Sequence, residues 1–223
     1  MSTTAILIHA GETFLLAFPA LLAIINPLAG AFAFIAISRR ASDSERAAAA
    51  RLIALYGFVL LNVSLWVGAY VLEFFGISLP VLRVGGGLVV AAAAWKLLHA
   101  EETPDATPAA GVRTTDLCAM AFYPLTMPFT VGPGTMAVAI ALGTSRPRGV
   151  EGLIAFGIAA TLATLANCVA IYFAYRYAER VAARIGQAGT QVVMRLSAFL
   201  LFCIGLQVLW IGVSELLANL LHD

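Results

Sequence analysis

Charge is what this sequence has least of. Only 11% of its 223 residues are Asp, Glu, Lys or Arg, while 61% are apolar; soluble domains run about 25% charged and 45–50% apolar. Too few polar side chains exist to cover a soluble surface of this size, so most of the solvent must be lipid, as the mean hydropathy of +0.94 also indicates. Neither sign is in excess. Thirteen Lys/Arg against twelve Asp/Glu give a net charge of +1, which excludes a nucleic-acid binder built on a broad basic field. The three cysteines, Cys118, Cys168 and Cys203, lie far apart inside apolar runs, so no disulfide framework or metal cluster is expected. The first eleven residues hold no Lys or Arg. Without the basic n-region of a cleavable signal, the first apolar run is read as a retained span.

What is present comes in long runs, not in the alternating segments of about ten residues that mark a membrane barrel. A hydrocarbon core about 30 Å thick needs about 20 helical residues, and six runs reach that length, near 12–38, 48–72, 79–98, 117–143, 150–175 and 191–217. The reading is an all-α integral membrane protein of six transmembrane helices in one membrane domain, 1–223. The polar stretch 99–116 holds Pro104, Pro108, Gly111 and four acids. It is expected to be a cytoplasmic linker between two three-helix halves, 1–98 and 117–223. Lys and Arg accumulate in short cytoplasmic loops. With both termini outside the cytoplasm, nine fall inside (Arg39, Arg40, Arg46, Arg51, Lys96, Arg113, Arg176, Arg180, Arg184) and only Arg146 and Arg148 outside.

Aligning the halves reveals a repeat at their helix-breaking and polar residues. Asn26-Pro27 matches Gly132-Pro133, Asn62 matches Asn167, and Val81-Leu82-Arg83-Val84 matches Val193-Met194-Arg195-Leu196. An insertion of about seven residues near Arg176 to Arg184 is required by this alignment. Three spans per half turn the second copy upside down, which makes the repeat an inverted 3+3 of the kind secondary transporters use.

The first and fourth spans are expected to be discontinuous. Asn26-Pro27 interrupts the first, and Pro124, Pro128 and Pro133, with Gly132 and Gly134, interrupt the fourth. Proline lacks an N–H and clashes with the carbonyl four residues back. Irregular backbone persists in a bilayer only where protein or a wet cavity satisfies it. A break exposes a helix N-terminus, which suits a carboxylate, and frees carbonyls that can hold an ammonium group or sodium. Thr126, Thr130, Thr135 and Asn26 add neutral partners. The implied site is small and nearly uncharged, which suits a small zwitterion. Pro19 and Pro80 read as simple kinks.

The segment from Phe122 to Thr135, together with Ile25-Asn-Pro-Leu-Ala-Gly30 and Arg83-Val-Gly-Gly-Gly87, resembles the MarC family, also called the six-span neutral amino acid transporter family. The likeness covers nearly the whole chain. It implies an integral protein of the prokaryotic inner membrane, and a few such relatives look like carriers of glycine, alanine and other small neutral amino acids. Ala29 stands where many relatives have Gly, and its methyl group would narrow the site.

The candidate substrate-binding residues are therefore Asn26, Pro27, Asn62, Thr126, Thr130, Gly132, Pro133, Gly134, Thr135 and Asn167. Arg83 and Arg195 are candidate gates, since intramembrane ionisable residues usually face a bundle interior; snorkelling to headgroups is the simpler account of both. For Asn62 and Asn167, helix packing competes with contact to the broken helices and the ligand. Gly85, Gly86 and Gly87 read as sites of close helix approach. No acid or histidine falls at mid-span, which argues against a proton relay and against an intramembrane hydrolase. No enzyme activity and no resident cofactor or metal are expected, and sodium or proton coupling stays open. Expected partners are the lipid bilayer and the zwitterion, with no oligomeric state legible. A channel, or an exporter of another small solute, drug or lipid, is the alternative.

Overall fold

The computed structural model describes residues 3–38, 41–99, 117–147 and 149–222, and every regular element among them is helical. The expected linker lies outside the described residues except for His99, as do Arg39, Arg40, Arg113 and Arg148. Helix α1 spans Thr3–Ile25 and α2 spans Pro27–Ile37, separated by Asn26 alone. Asn26 takes the left-handed conformation (φ 46°, ψ 66°), which Asn tolerates better than most residues because its short amide bonds locally. Pro27 then opens α2 where its missing N–H costs nothing.

Helix α3 (Asp43–Phe74) starts on a capping box in which Ser42 Oγ accepts from Glu45 N and Glu45 Oε2 accepts from Ser42 N. It ends on a Schellman turn: Gly76, at φ 66°, donates to Glu73 O, and Ile77 donates to Leu72 O. Helix α4 covers Leu79–Leu98, with Pro80 in its first turn. A prolyl segment, Ala121–Thr130, leads to α5 (Pro133–Thr144). The remaining helical run breaks at Gly186 (φ 70°, ψ 179°) into α6 (Val150–Gly186) and α7 (Ala188–Leu221).

The spans differ from expectation in two places, the start of the first and the end of the fifth. The first begins nearer the N-terminus, and its break at Asn26 leaves Ile8–Phe32 as one apolar span. The fourth is discontinuous, as expected. Its prolyl segment and α5 meet at 68°, and at about 1.5 Å per residue neither piece crosses a bilayer alone. Five helices are thus long and apolar enough to span, or six with the bent pair counted as one. The fifth runs on to Gly186 instead of ending near 175, because Tyr175 to Ile185 stays helical.

Packing interleaves the two halves. The α1–α2 pair lies against α6, where Asn167 meets Phe18 and Tyr175 stacks on Phe34, and, through Asn26, against Ser197 of α7. The prolyl segment lies against α3, and α5 lies against α3 and α4. Across the middle, α3 faces α6, and α4 faces α7. One buried cluster holds Leu21, Ile25, Phe34, Ile53, Leu61, Leu125, Val131, Ile171 and Tyr175, so residues flanking both breaks share a core. Half of the apolar window of α6 is buried, against 22% for α4 and for α7, which makes α6 central and those two peripheral. Leu15, Val63, Leu88, Leu162 and Phe199 face outward, as a lipid-facing belt requires.

The three consecutive glycines of α4 do different work. A Cβ on Gly86 would come 2.7 Å from Ala137 Cβ of α5, and Gly87 sits against Gly205 and Leu209 of α7. Gly85 meets nothing within 4 Å, so the expected close approach holds for two of the three.

Candidate functional site

Three prolines fall within ten residues of the fourth span, and the backbone answers with bonds spaced five residues apart. Leu125 N donates to Met120 O and Val131 N to Thr126 O. Tyr123 and Met127 leave helical geometry altogether. The hydroxyls of Thr126 and Thr130 take up carbonyls at the same spacing, donating to Ala121 O (2.6 Å) and Leu125 O (2.7 Å). Both side chains are buried. The two threonines expected to face a ligand thus donate inward to their own chain, because a freed carbonyl in hydrocarbon costs several kcal/mol unless it is paired. Thr130 Oγ1 also lies 2.8 Å from the hydroxyl of buried Tyr175, which stacks on Phe34.

The helix starts at the two breaks are unequal. At α2, Asn26 Oδ1 accepts from Ala29 N (3.3 Å) while Asn26 Nδ2 donates to Ser197 O (3.1 Å), so the amide caps its own helix and docks it on α7. At α5, Gly132 offers no side chain to cap. Pro133 holds the first turn, Thr135 is buried, and Gly134 packs on Gly86 and Val90 of α4 instead of facing open space.

The paired asparagines also diverge. Each donates to the carbonyl four residues back, Asn62 to Phe58 O and Asn167 to Ala163 O, both at 2.9 Å. Asn62 then reaches Thr164 Oγ1 on α6 (3.1 Å), not a broken helix. Asn167, fully buried, reaches Phe18 O on α1 (3.2 Å). Two carbonyl acceptors fix the amide's orientation, which leaves Asn167 Oδ1 buried with no hydrogen-bond partner among the described residues. A buried acceptor without a donor costs about 1–3 kcal/mol.

The two arginines do not share one environment. Arg83 Nη1 pairs with Glu215 Oε1, joining α4 to α7, whereas Arg195 is exposed and makes no ion pair among the described residues. Among the described residues neither bonds a carbonyl at a broken segment. Because Arg83 is 22% and Glu215 39% exposed, the pair is worth about 1 kcal/mol or less. Arg83→Gln is expected to lower the melting temperature in detergent by a few degrees, and Arg195→Gln to leave it unchanged.

Sequence reasoning passed over several polar residues: Tyr175, Thr164, Ser38 and the Arg46–Glu179 ion pair. Glu179, an acid amid Arg176, Arg180 and Arg184, was the available signal.

A helical chain with a lipid-facing belt and polar groups gathered at two breaks in one core is a polytopic integral membrane protein. Residues 11–217 match the profile of the MarC family integral membrane proteins, and the chain belongs to that family. The UPF0056 inner membrane protein MarC of Citrobacter koseri is 31% identical over 204 residues, covering 88% of this chain and 92% of the relative. Proteins of the same name from Salmonella typhimurium (strain LT2) and Escherichia coli O1:K1 / APEC are 31% and 30% identical over 203 residues, with the same coverage. No solved structure matches.

Proposed function

We propose that this protein is a secondary carrier of small neutral amino acids, glycine and alanine among them, in the prokaryotic inner membrane. The observation that carries the reading is the orphaned Asn167 Oδ1, held against the first broken span. An ammonium group is the donor such an acceptor lacks, and a zwitterion's carboxylate has the uncapped start of α5 in the same core. Nearby polar groups are neutral amides and hydroxyls, which suits a ligand without net charge. Inner-membrane placement is supported by the names of the relatives.

The carrier works by rocking one inverted half against the other. Two contacts at comparable positions support the inverted repeat. Asn26 meets α7 two residues after Arg195, and Gly134 meets α4 three residues after Arg83. Arg46, Arg176 and Arg180 gather on the face where α3 begins and α6 ends, which supports a cytoplasmic placement of that face and external termini.

Counterflow in proteoliposomes tests the reading. With unlabelled glycine or alanine inside and a labelled trace outside, transient overaccumulation is expected, and Asn26→Ala combined with Gly132→Ala is expected to abolish it. A channel gives no overaccumulation at all, and that result with folded protein sinks the proposal.

A further inference from the structure

Between the end of α2, the start of α3 and the end of α6 lies a cavity of about 40 Å³, lined by Ser38, Asp43, Arg46, Tyr175 and Glu179, with Arg176 and Arg180 beside them. A water needs about 10–15 Å³ by this measure, so the space takes about three water-sized groups, the size of a carboxylate. Its wall carries an unmet hydrogen-bonding group: Ser38 Oγ is buried and has no partner among the described residues. The Ser38 carbonyl, by contrast, accepts twice, from Ala41 N and from Arg46 Nε.

Arg46 is the inner cation. Its Nε holds Ser38 O at 3.1 Å, its Nη1 pairs with Glu179 and lies 3.8 Å from Asp43, and Nη2 makes no such bond among the described residues. Arg176 and Arg180 lie over the ring of Tyr177, at 5.9 and 5.3 Å. The floor is Tyr175, whose hydroxyl meets Thr130 of the prolyl segment. The cavity is therefore one aromatic ring away from the second break.

We propose that this cavity is a waypoint for the solute carried, and the proposal rests on the carrier reading given above. A small zwitterion seats its carboxylate in the cavity, on Arg46 Nη2 and Ser38 Oγ, and its ammonium at the exposed rim, on Glu179 and Asp43. In doing so it trades partners with the Arg46–Glu179 ion pair, which ties α3 to α6. Entry of the solute thus loosens the contact that holds this end shut. Both charges are needed to open the contact: the carboxylate alone takes Nη2 and leaves Nη1 on Glu179, and the ammonium alone competes for Glu179 without giving Arg46 a new partner.

Equilibrium binding of labelled glycine to the full chain, purified in detergent free of phosphatidylethanolamine, tests this on an Asn167→Leu background, which removes the acceptor beside the first broken span. Residual glycine binding is expected. Acetate or methylammonium alone should compete at least tenfold more weakly than unlabelled glycine, and Arg46→Gln should weaken the residual binding tenfold or more. Glu179 is 55% exposed, so Glu179→Gln folds even if Arg46→Gln does not, and it should have the same effect. The waypoint is wrong if Asn167→Leu binds no glycine, if the residual binding ignores both substitutions, or if acetate competes as well as glycine. Equal competition by glycerophosphoethanolamine would assign the cavity to a lipid headgroup and overturn the proposal. Counterflow without residual binding removes the waypoint alone. Residual binding without counterflow removes the carrier reading and leaves the site.

Discussion

Leucine at Gly205 is expected to keep α4 and α7 from docking and to leave little folded protein. A Cβ at that position falls 2.6 Å from Ala91 N and 3.0 Å from both Ala91 Cα and Gly87 O. These are backbone atoms, so no side-chain rotation relieves the clash and the two helices must move apart. Overpacking of an ordinary core costs about 1–3 kcal/mol, and a clash with backbone exceeds that range. Helix association in a bilayer draws on close packing, with no hydrophobic gain to replace it, so the lost contact is not recovered elsewhere. Gly85 supplies the control, since nothing lies within 4 Å of its added Cβ. Gly85→Ala is expected to leave the melting temperature in detergent unchanged or raise it slightly, through alanine's helix propensity advantage of about 1 kcal/mol. Equal losses at the two positions would contradict the assigned α4–α7 contact.

The second large effect is expected at Asn167 and falls on transport, not on folding. Asn167→Leu removes the bond to Phe18 O, and intramembrane side-chain bonds average about 0.6 kcal/mol with a maximum near 1.7. The fold should survive that loss. A hydrogen bond to a charged group is worth about 1.5–3 kcal/mol, so losing the Oδ1 acceptor is expected to weaken glycine counterflow by about ten- to a hundredfold. Asn62→Leu breaks a bond of the same kind between α3 and α6. It should cost similar stability and far less transport. Matched transport losses at both positions, with melting temperatures unchanged, would mean that Asn167 has no special role.

The breaks themselves were legible because proline and glycine act on the backbone of their own turn. Asn26-Pro27 and Gly132-Pro133 both open helices as their chemistry requires. What neighbours do in space was not. Arg83 and Arg195 look equivalent in the alignment, yet one finds Glu215, 132 residues away, and the other finds none among the described residues. Thr126 and Thr130 look like free hydroxyls until the five-residue spacing brings carbonyls under them. Tyr175 reads as one more aromatic in an apolar run, and only packing against Phe34 and Thr130 gives it a place.

Interleaving of the halves sets the order of events at the ribosome. The partners of α1 and α2 are α6 and α7, and α6 begins only at Val150. At about 5–20 residues per second, the first two helices wait for about 6–25 s before the larger part of their binding surface exists. Through that interval Asn26 has no Ser197 carbonyl to donate to, and the α1 face that will meet Asn167 is bare. The N-terminal span is thus made early and packed late: it reaches its native contacts only when the second half of the chain arrives.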